Sequence, residues 1–178
     1  MYQVASSFNF NPDISQLERA LNGSSRFDTT IAVQQIASQF EGSLKVSGLP
    51  VSCTVGCSHC CKSSSIQITG TEALIIASAT GRNVRTTSGG KKLFAGVACT
   101  FLSPVGHCTI YDIRPATCRA LVSIDDPQKC LNEVHREAFS SDHVFPILMN
   151  LISKNHHKVL KSRLGTNMDI REAFPPSA

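Results

Sequence analysis

Residues 51–62, VSCTVGCSHCCK, decide how this chain is read. They carry the pattern Cys53-x3-Cys57-x2-Cys60-Cys61. A thiolate is a soft ligand suited to zinc and to iron–sulfur clusters. Gaps of two or three residues let one short segment offer several sulfurs to a single centre. On a helical turn Cys53, Cys57 and Cys60 share a face, and Cys57 and Cys61 are neighbours as well. In an extended segment the adjacent Cys60 and Cys61 point opposite ways. The two are therefore expected to have different jobs, one ligating while the other packs or serves a second site.

Working outward, a second group follows: Cys99, Cys108, Cys118 and Cys130. Its spacings are wider. Gly106-His107-Cys108 and Arg114-Pro115 through Cys118-Arg119 read as rigid turns carrying one cysteine each. Arg114 and Arg119 are candidates to neutralise an anionic thiolate cluster or to hold carboxylates. Any one of this group can also be a buried thiol acting as a small apolar residue, Cys130 above all. All eight cysteines are the candidate ligand set, for either two sites of four thiolates or one cluster with spare ligands. His59 and His107 each neighbour a cysteine and read as exposed or supporting groups rather than ligands.

Composition frames these motifs. The chain has 178 residues, 42% apolar and 17% charged, with a net charge of +4. That suits one domain, 1–178, divided into an N-terminal helical part (1–50), a cysteine region (51–130) and a C-terminal helix with its tail (131–178). A chain this long buries a real core and does not need disulfides to fold. The start, MYQVASSFNFNPD, shows no basic segment followed by an apolar run, and no stretch approaches about 18 consecutive apolar residues. The expected location is therefore the cytoplasm, where cysteines stay reduced and short spacings mean metal rather than disulfides. The modest charge does not argue for nucleic acid, and no membrane contact is expected. Another protein or an assembly is the expected partner.

The elements expected around the cysteines are helical. Asp13 to Asn22 reads as a short helix capped by Asp13, and Asp28 to Lys45 as a longer one with Ile31, Ile36, Phe40 and Leu44 as its apolar stripe. Residues 47–50 break it. Ile66 to Ile68 is a short extended stretch, after which Thr69 or Thr71 caps a helix that Gly81 stops. Residues 82–92 read as an exposed basic loop, and Gly89-Gly90 lacks the spacing of a phosphate loop. Residues 93–130 lack long regular structure. Residues 135–165 read as mostly helix, with Ser141 or Asp142 as the cap and Pro146 in the first turn. Leu148, Ile152 and Val159 are its buried stripe, and His156, His157, Lys158, Lys161 and Arg163 a solvated basic face. The fold class is mainly α, helices packed around an irregular, metal-clamped middle.

The order CTVGCSHCC (53–61), ITGTEALIIA (68–77), CTFL (99–102), GHCTIYDIRPATCRA (106–120) and then Cys130 resembles the CxxCxxCC cysteine-cluster family, the YkgJ-like proteins described as zinc- or iron-chelating. The resemblance implies metal or iron–sulfur binding by Cys53, Cys57, Cys60, Cys61, Cys99, Cys108 and Cys118, with Cys130 at the trailing position. Flagellin lysine methylases carry a similar cysteine set, which makes an iron–sulfur cluster the favoured cofactor and zinc the alternative. The first gap here is three residues rather than two, Thr100 stands where the family commonly has proline, and Leu121-Val122 replace an aromatic–proline pair.

Cys53-x3-Cys57-x2-Cys60 also matches the spacing of radical S-adenosylmethionine enzymes. The chain after Cys60 is too short for their partial barrel and shows no alternating strand–helix pattern. No Ser-His-Asp signature, nucleotide loop or paired-carboxylate motif is present. Asp112, Asp125, Asp126 and Glu133 read as loop and surface groups. The leading expectation is a metal-binding structural or accessory module. An iron–sulfur enzyme of redox or methylase-like type comes next, then a metal-stabilised subunit of a larger assembly such as a viral particle.

Overall fold

Ser25 starts the longest helix. Its hydroxyl accepts the Asp28 N–H at 3.1 Å, satisfying one of the donors that a helix start leaves open. The computed structural model describes residues 8–54, 56–63, 65–85, 97–131, 138–139 and 141–175. Helix α1 spans Ser15–Asn22 and α2 spans Arg26–Val46. Helix α2 turns Val33, Ile36, Ala37, Phe40 and Leu44 inward, at the spacing of one helical face. Ile31 falls off that stripe. It lies five residues before Ile36, well round the helix, and is 44% exposed. Helix α1 likewise begins two residues later than its expected cap. Asp13 accepts the Ser15 N–H at 2.9 Å from outside the helix, while Ile14 occupies the cap position.

Helix α3 is short, His59–Ser63, and leads to strand β1, Gln67–Thr69. Thr69 then caps α4, Gly70–Thr80, with a full capping box: its hydroxyl accepts the Glu72 N–H at 3.2 Å and Glu72 Oε2 accepts the Thr69 N–H at 2.9 Å. Gly81 closes α4 at φ +69, the left-handed conformation that glycine adopts without strain. Residues 82–85 are irregular, while the glycine pair expected in this loop lies outside the described residues. The following stretch holds a 3₁₀ turn (Tyr111–Ile113), helix α5 (Ala116–Ala120), strand β2 (Val122–Ser123) and a second 3₁₀ turn (Pro127–Leu131).

The C-terminal third differs from one expected helix. Residues Ala138–Phe139 form strand β3, paired antiparallel with β2, and two helices follow, α6 (Ser141–Leu151) and α7 (Lys154–Leu164), broken at Ser153. Helix α6 begins at Ser141 itself, so Pro146 sits inside the helix rather than in its first turn, where its missing N–H removes one internal hydrogen bond. Leu148 and Ile152 are buried as expected, but Leu160, not Val159, continues the stripe into α7. Arg163 is not a solvated cation. It donates to the carbonyls of Ala20 and Gly23 and to Thr29 Oγ1, tying α7 to the ends of α1 and α2. Strand β4 (Asn167–Asp169) pairs antiparallel with β1, Ile68 opposite Met168, and α8 (Ile170–Ala173) follows.

The chain is mainly α, with eight α-helices and two two-stranded sheets among the described residues. It buries two apolar clusters. The first lies among α1, α2, α5, α6 and α7, with Phe8 and Phe10 edge-on to Phe40. The second gathers Ile66, Ile68, Ala73, Ile76, Phe101, Ile110, Ile170 and Phe174, with Cys99 among them. Buried Glu72 joins the two halves. Its Oε1 accepts from Gln34 Nε2 of α2 at 3.3 Å and from the Ala116 N–H of α5 at 2.7 Å. Among the described residues, no helix is long and apolar enough to cross a membrane.

Candidate metal centre

Six short stretches carry seven of the cysteines. The extended stretch 51–54 runs beside β2. The Ser52 N–H donates to the Ser123 carbonyl at 3.0 Å and the Ser123 N–H donates to Cys53 Sγ at 3.1 Å. A turn then brings the Cys57 N–H to the Thr54 carbonyl at 3.0 Å, with Gly56 at φ +89. Cys60 and Cys61 follow on α3. Successive helical residues are only about 100° apart, so both face the same space instead of diverging as they would on a strand. Cys99 is docked by its N–H on the Cys61 carbonyl at 2.7 Å. Cys108 is bridged to Leu102 at the base of a tight loop, where the Ser103 N–H donates to the His107 carbonyl at 2.8 Å. Cys118 projects from α5, the helix whose start Glu72 holds.

These segments meet around one cavity of about 400 Å³. Its walls carry Cys53, Cys57, Cys60, Cys61, Cys99, Cys108 and Cys118. Seven of the eight sequence-predicted ligands therefore share one space. The eighth, Cys130, is buried in the second 3₁₀ turn and does not line the cavity, though it lies close enough to Cys53 for its charge to be felt there. All eight are free thiols, none joined in a disulfide. The thiols line the cavity without converging: among the described residues, no group of three or more His, Cys, Asp or Glu side chains already has the arrangement of an ion site.

The electrostatics of the wall are those of crowded, desolvated thiols. Burial pushes the Cys53 thiol up to about 11, with the charges of Cys57, Cys60 and Cys130 adding and the Ser123 N–H opposing. A hydrogen bond with Cys60 and then burial push Cys61 far up. Burial raises Cys118 strongly, with Cys60, Cys99, Cys108 and Glu72 adding their charges. Burial also raises Cys99, and there the nearby Arg171 works in the opposite direction. Each thiolate makes its neighbours harder to ionise, and a bound polyvalent cation inverts that sign. The donor set, all sulfur and mutually repulsive when charged, therefore fits a soft metal or a thiolate-held cluster.

The two arginines singled out by the sequence do different work. Arg114, at the cavity rim, meets Glu41 at 3.3 Å and lies over the Tyr111 ring at 3.9 Å. Arg119 braces backbone, donating to the carbonyls of Arg114 (2.9 Å) and Asp112 (2.6 Å) and to Ser38 Oγ (3.2 Å). His107 lines the cavity, whereas His59 does not. Sequence reasoning missed Ser123, Glu72, Asp169 and Arg171, all of which hold the cysteine-bearing segments. Only Glu72 left a local trace, the T-x-x-E capping pattern. The others act through pairings between residues far apart in the chain.

Helices packed around a cavity walled by thiols define a cysteine-rich protein with a candidate metal centre. Residues 52–138, just under half of the chain, match the model of the CxxCxxCC family, described as a "Putative zinc- or iron-chelating domain". The match confirms the resemblance read from the sequence, and it covers every cysteine. No curated protein and no solved structure matches the chain.

Proposed function

We propose that this protein holds an iron–sulfur cluster in the thiol-lined cavity and serves as a structural or accessory module. Cys53, Cys57, Cys60, Cys61, Cys99, Cys108 and Cys118 supply the ligands, and Cys130, near Cys53 but outside the cavity wall, is not among them. One observation carries the reading: seven thiols from six short stretches share a single cavity. A structural zinc ion and an iron–sulfur cluster each take four thiolates, so the seven-thiol wall holds enough sulfur for either, and the similar cysteine set of flagellin lysine methylases favours the cluster. Such a cluster, when bound, supplies an electron-storing centre. The residues of the chain supply the sulfurs, bury Cys99 while half-burying the other six, and give the centre an irregular but tied frame.

The polar rim favours a second reading, an enzyme that uses the centre. Lys45, Glu41, Arg114 and half-exposed Tyr111 edge the cavity on its open side. Closed sites are structural, whereas a reachable centre has room for an exogenous ligand. Anaerobic purification followed by a visible spectrum, iron and zinc analysis and assay of acid-labile sulfide separates these outcomes. The expected result is a brown protein with iron and sulfide in similar amounts. A colourless protein with one or two zinc ions per chain replaces the cluster with zinc, and the absence of all three overturns the chelating role. Added cyanide should leave the spectrum unchanged for the accessory module and shift it for the enzyme.

A further inference from the structure

Strand β4 and helix α8 lie beyond the matched segment, yet they grip two of the stretches next to its cysteines. Asp169 and Arg171 form an ion pair whose arginine side chain is 0% exposed. Asp169 Oδ1 accepts from the Arg171 backbone N–H at 2.9 Å and from Nε at 2.8 Å, and Oδ2 accepts from Nη2 at 2.8 Å. Oδ2 also accepts the Ile66 N–H at 3.0 Å and the Ser65 hydroxyl at 3.0 Å. The remaining arm, Arg171 Nη1, donates to the Val97 carbonyl. One buried pair thus holds the chain just after Cys61 and the chain just before Cys99.

Three further contacts close the frame. The Ile170 N–H donates to the Ile66 carbonyl at 2.9 Å, Thr100 Oγ1 donates to the Phe174 carbonyl at 2.5 Å, and the Cys99 N–H donates to the Cys61 carbonyl. Ile66 and Ile170 both line the thiol cavity. A buried ion pair is weak evidence for stability, because desolvation offsets most of its attraction; its better-attested use is to fix one arrangement among several. Arginine suits the task, since its planar fork reaches Asp169 and the Val97 carbonyl at once, which a lysine cannot do.

We infer that Asp169 and Arg171 are positioning residues of the metal centre, locking the Cys61–Cys99 side of the cavity into the arrangement that receives the metal. The inference rests on the chelating reading above. The test compares the parent chain with the double variant Asp169→Asn, Arg171→Met, which removes both charges together and keeps an acceptor for the Ile66 N–H. Two readouts are taken. Zn²⁺ affinity is measured by chelator competition, and iodoacetamide alkylation of each cysteine in the metal-free chain is followed by mass spectrometry. The expected result is a loss of about 10–100-fold in Zn²⁺ affinity, the usual effect of removing a group that orients ligands. Alkylation of Cys99 should rise severalfold, while Cys53, held instead by Ser123, keeps its parent rate. A folded variant with parent affinity and a parent alkylation pattern overturns the inference. So does uniform acceleration at all eight cysteines, which is global loosening. Should circular dichroism show the double variant unfolded, Arg171→Lys, charged but unable to span both partners, takes its place with the same readouts, and the same results support or overturn the inference. A parent chain that binds no Zn²⁺ and also purifies without iron or sulfide refutes the chelating reading instead, and the alkylation pattern still decides the positioning role.

Discussion

The bundle of α1, α2 and α7 and the cysteine-walled half are held together by different physics. In the bundle, a 21-residue helix buries Phe40, Ile36 and Leu44 against neighbouring apolar side chains, and cross-helix contacts such as Arg163 finish the ends. Burial of that kind acts without any ligand. In the cysteine half the helices that carry cysteines, α3 and α5, have five residues each, and the strands have two or three. Beside its own small apolar cluster, this half has a cavity lined with thiols that resist ionisation together. The bundle is complete as a folded object. The cysteine half has its frame tied but its centre left to chemistry.

The largest expected break in this comparison comes from metal removal. Stripping the metal from the loaded protein with a chelator should collapse amide hydrogen-exchange protection across residues 56–63 and 97–131, while α2 keeps most of its own. Equal loss in both regions would show that the halves are one cooperative unit. The converse perturbation is Phe40→Ala, which should cost about 3–5 kcal/mol in denaturant unfolding and leave the metal affinity of the remaining folded protein close to the parent value.

The pH response should separate loaded from metal-free protein in sign. Cys53 ionises near 9 in the unfolded chain and at about 11 when folded. The metal-free chain therefore keeps this contribution below about 9 and loses it as the pH rises from there through 11, because the unfolded thiol gives up its proton first. The loaded protein should instead lose metal as pH falls, since protons compete for the sulfurs. Thermal melts of both forms across pH 5–11 read out the two slopes. The smallest effect is Thr69→Ala, which removes one arm of the capping box and should cost about 1 kcal/mol without altering metal content.

What could be read in the sequence follows the same division. Helix α4 was legible almost to the residue because its signals are local: Thr69 with Glu72 at its start and Gly81 at its end. Helix α2 was legible in its existence and in most of its buried face. The cysteine ligand candidates were legible because thiols at short spacing are rare outside metal sites, and seven of them do wall one cavity. The rest depends on non-local pairing. Nothing near Ser123 announces that its N–H meets Cys53, seventy residues away in the chain. Nothing in IREA tells that its arginine is fully buried, and Arg163 read as a surface charge because its three partners lie on other helices. The strand at Ala138–Phe139 was hidden inside a helical-looking run because its partner is β2.

The pairing of β1 with β4, Gln67 opposite Asp169, also sets a timetable. A ribosome releases the cysteines of residues 53–130 well before the strand that locks them. At roughly 5–20 residues per second, the interval between Cys130 and Arg171 is on the order of a few seconds. Contacts across such long loops are the slow ones to form. During that interval the nascent chain presents reactive thiols with no frame around them, so metal delivered too early would meet a flexible set of sulfurs and not the tied cavity. Reduced thiols, and metal delivered only after β4 has docked, would favour the tied cavity.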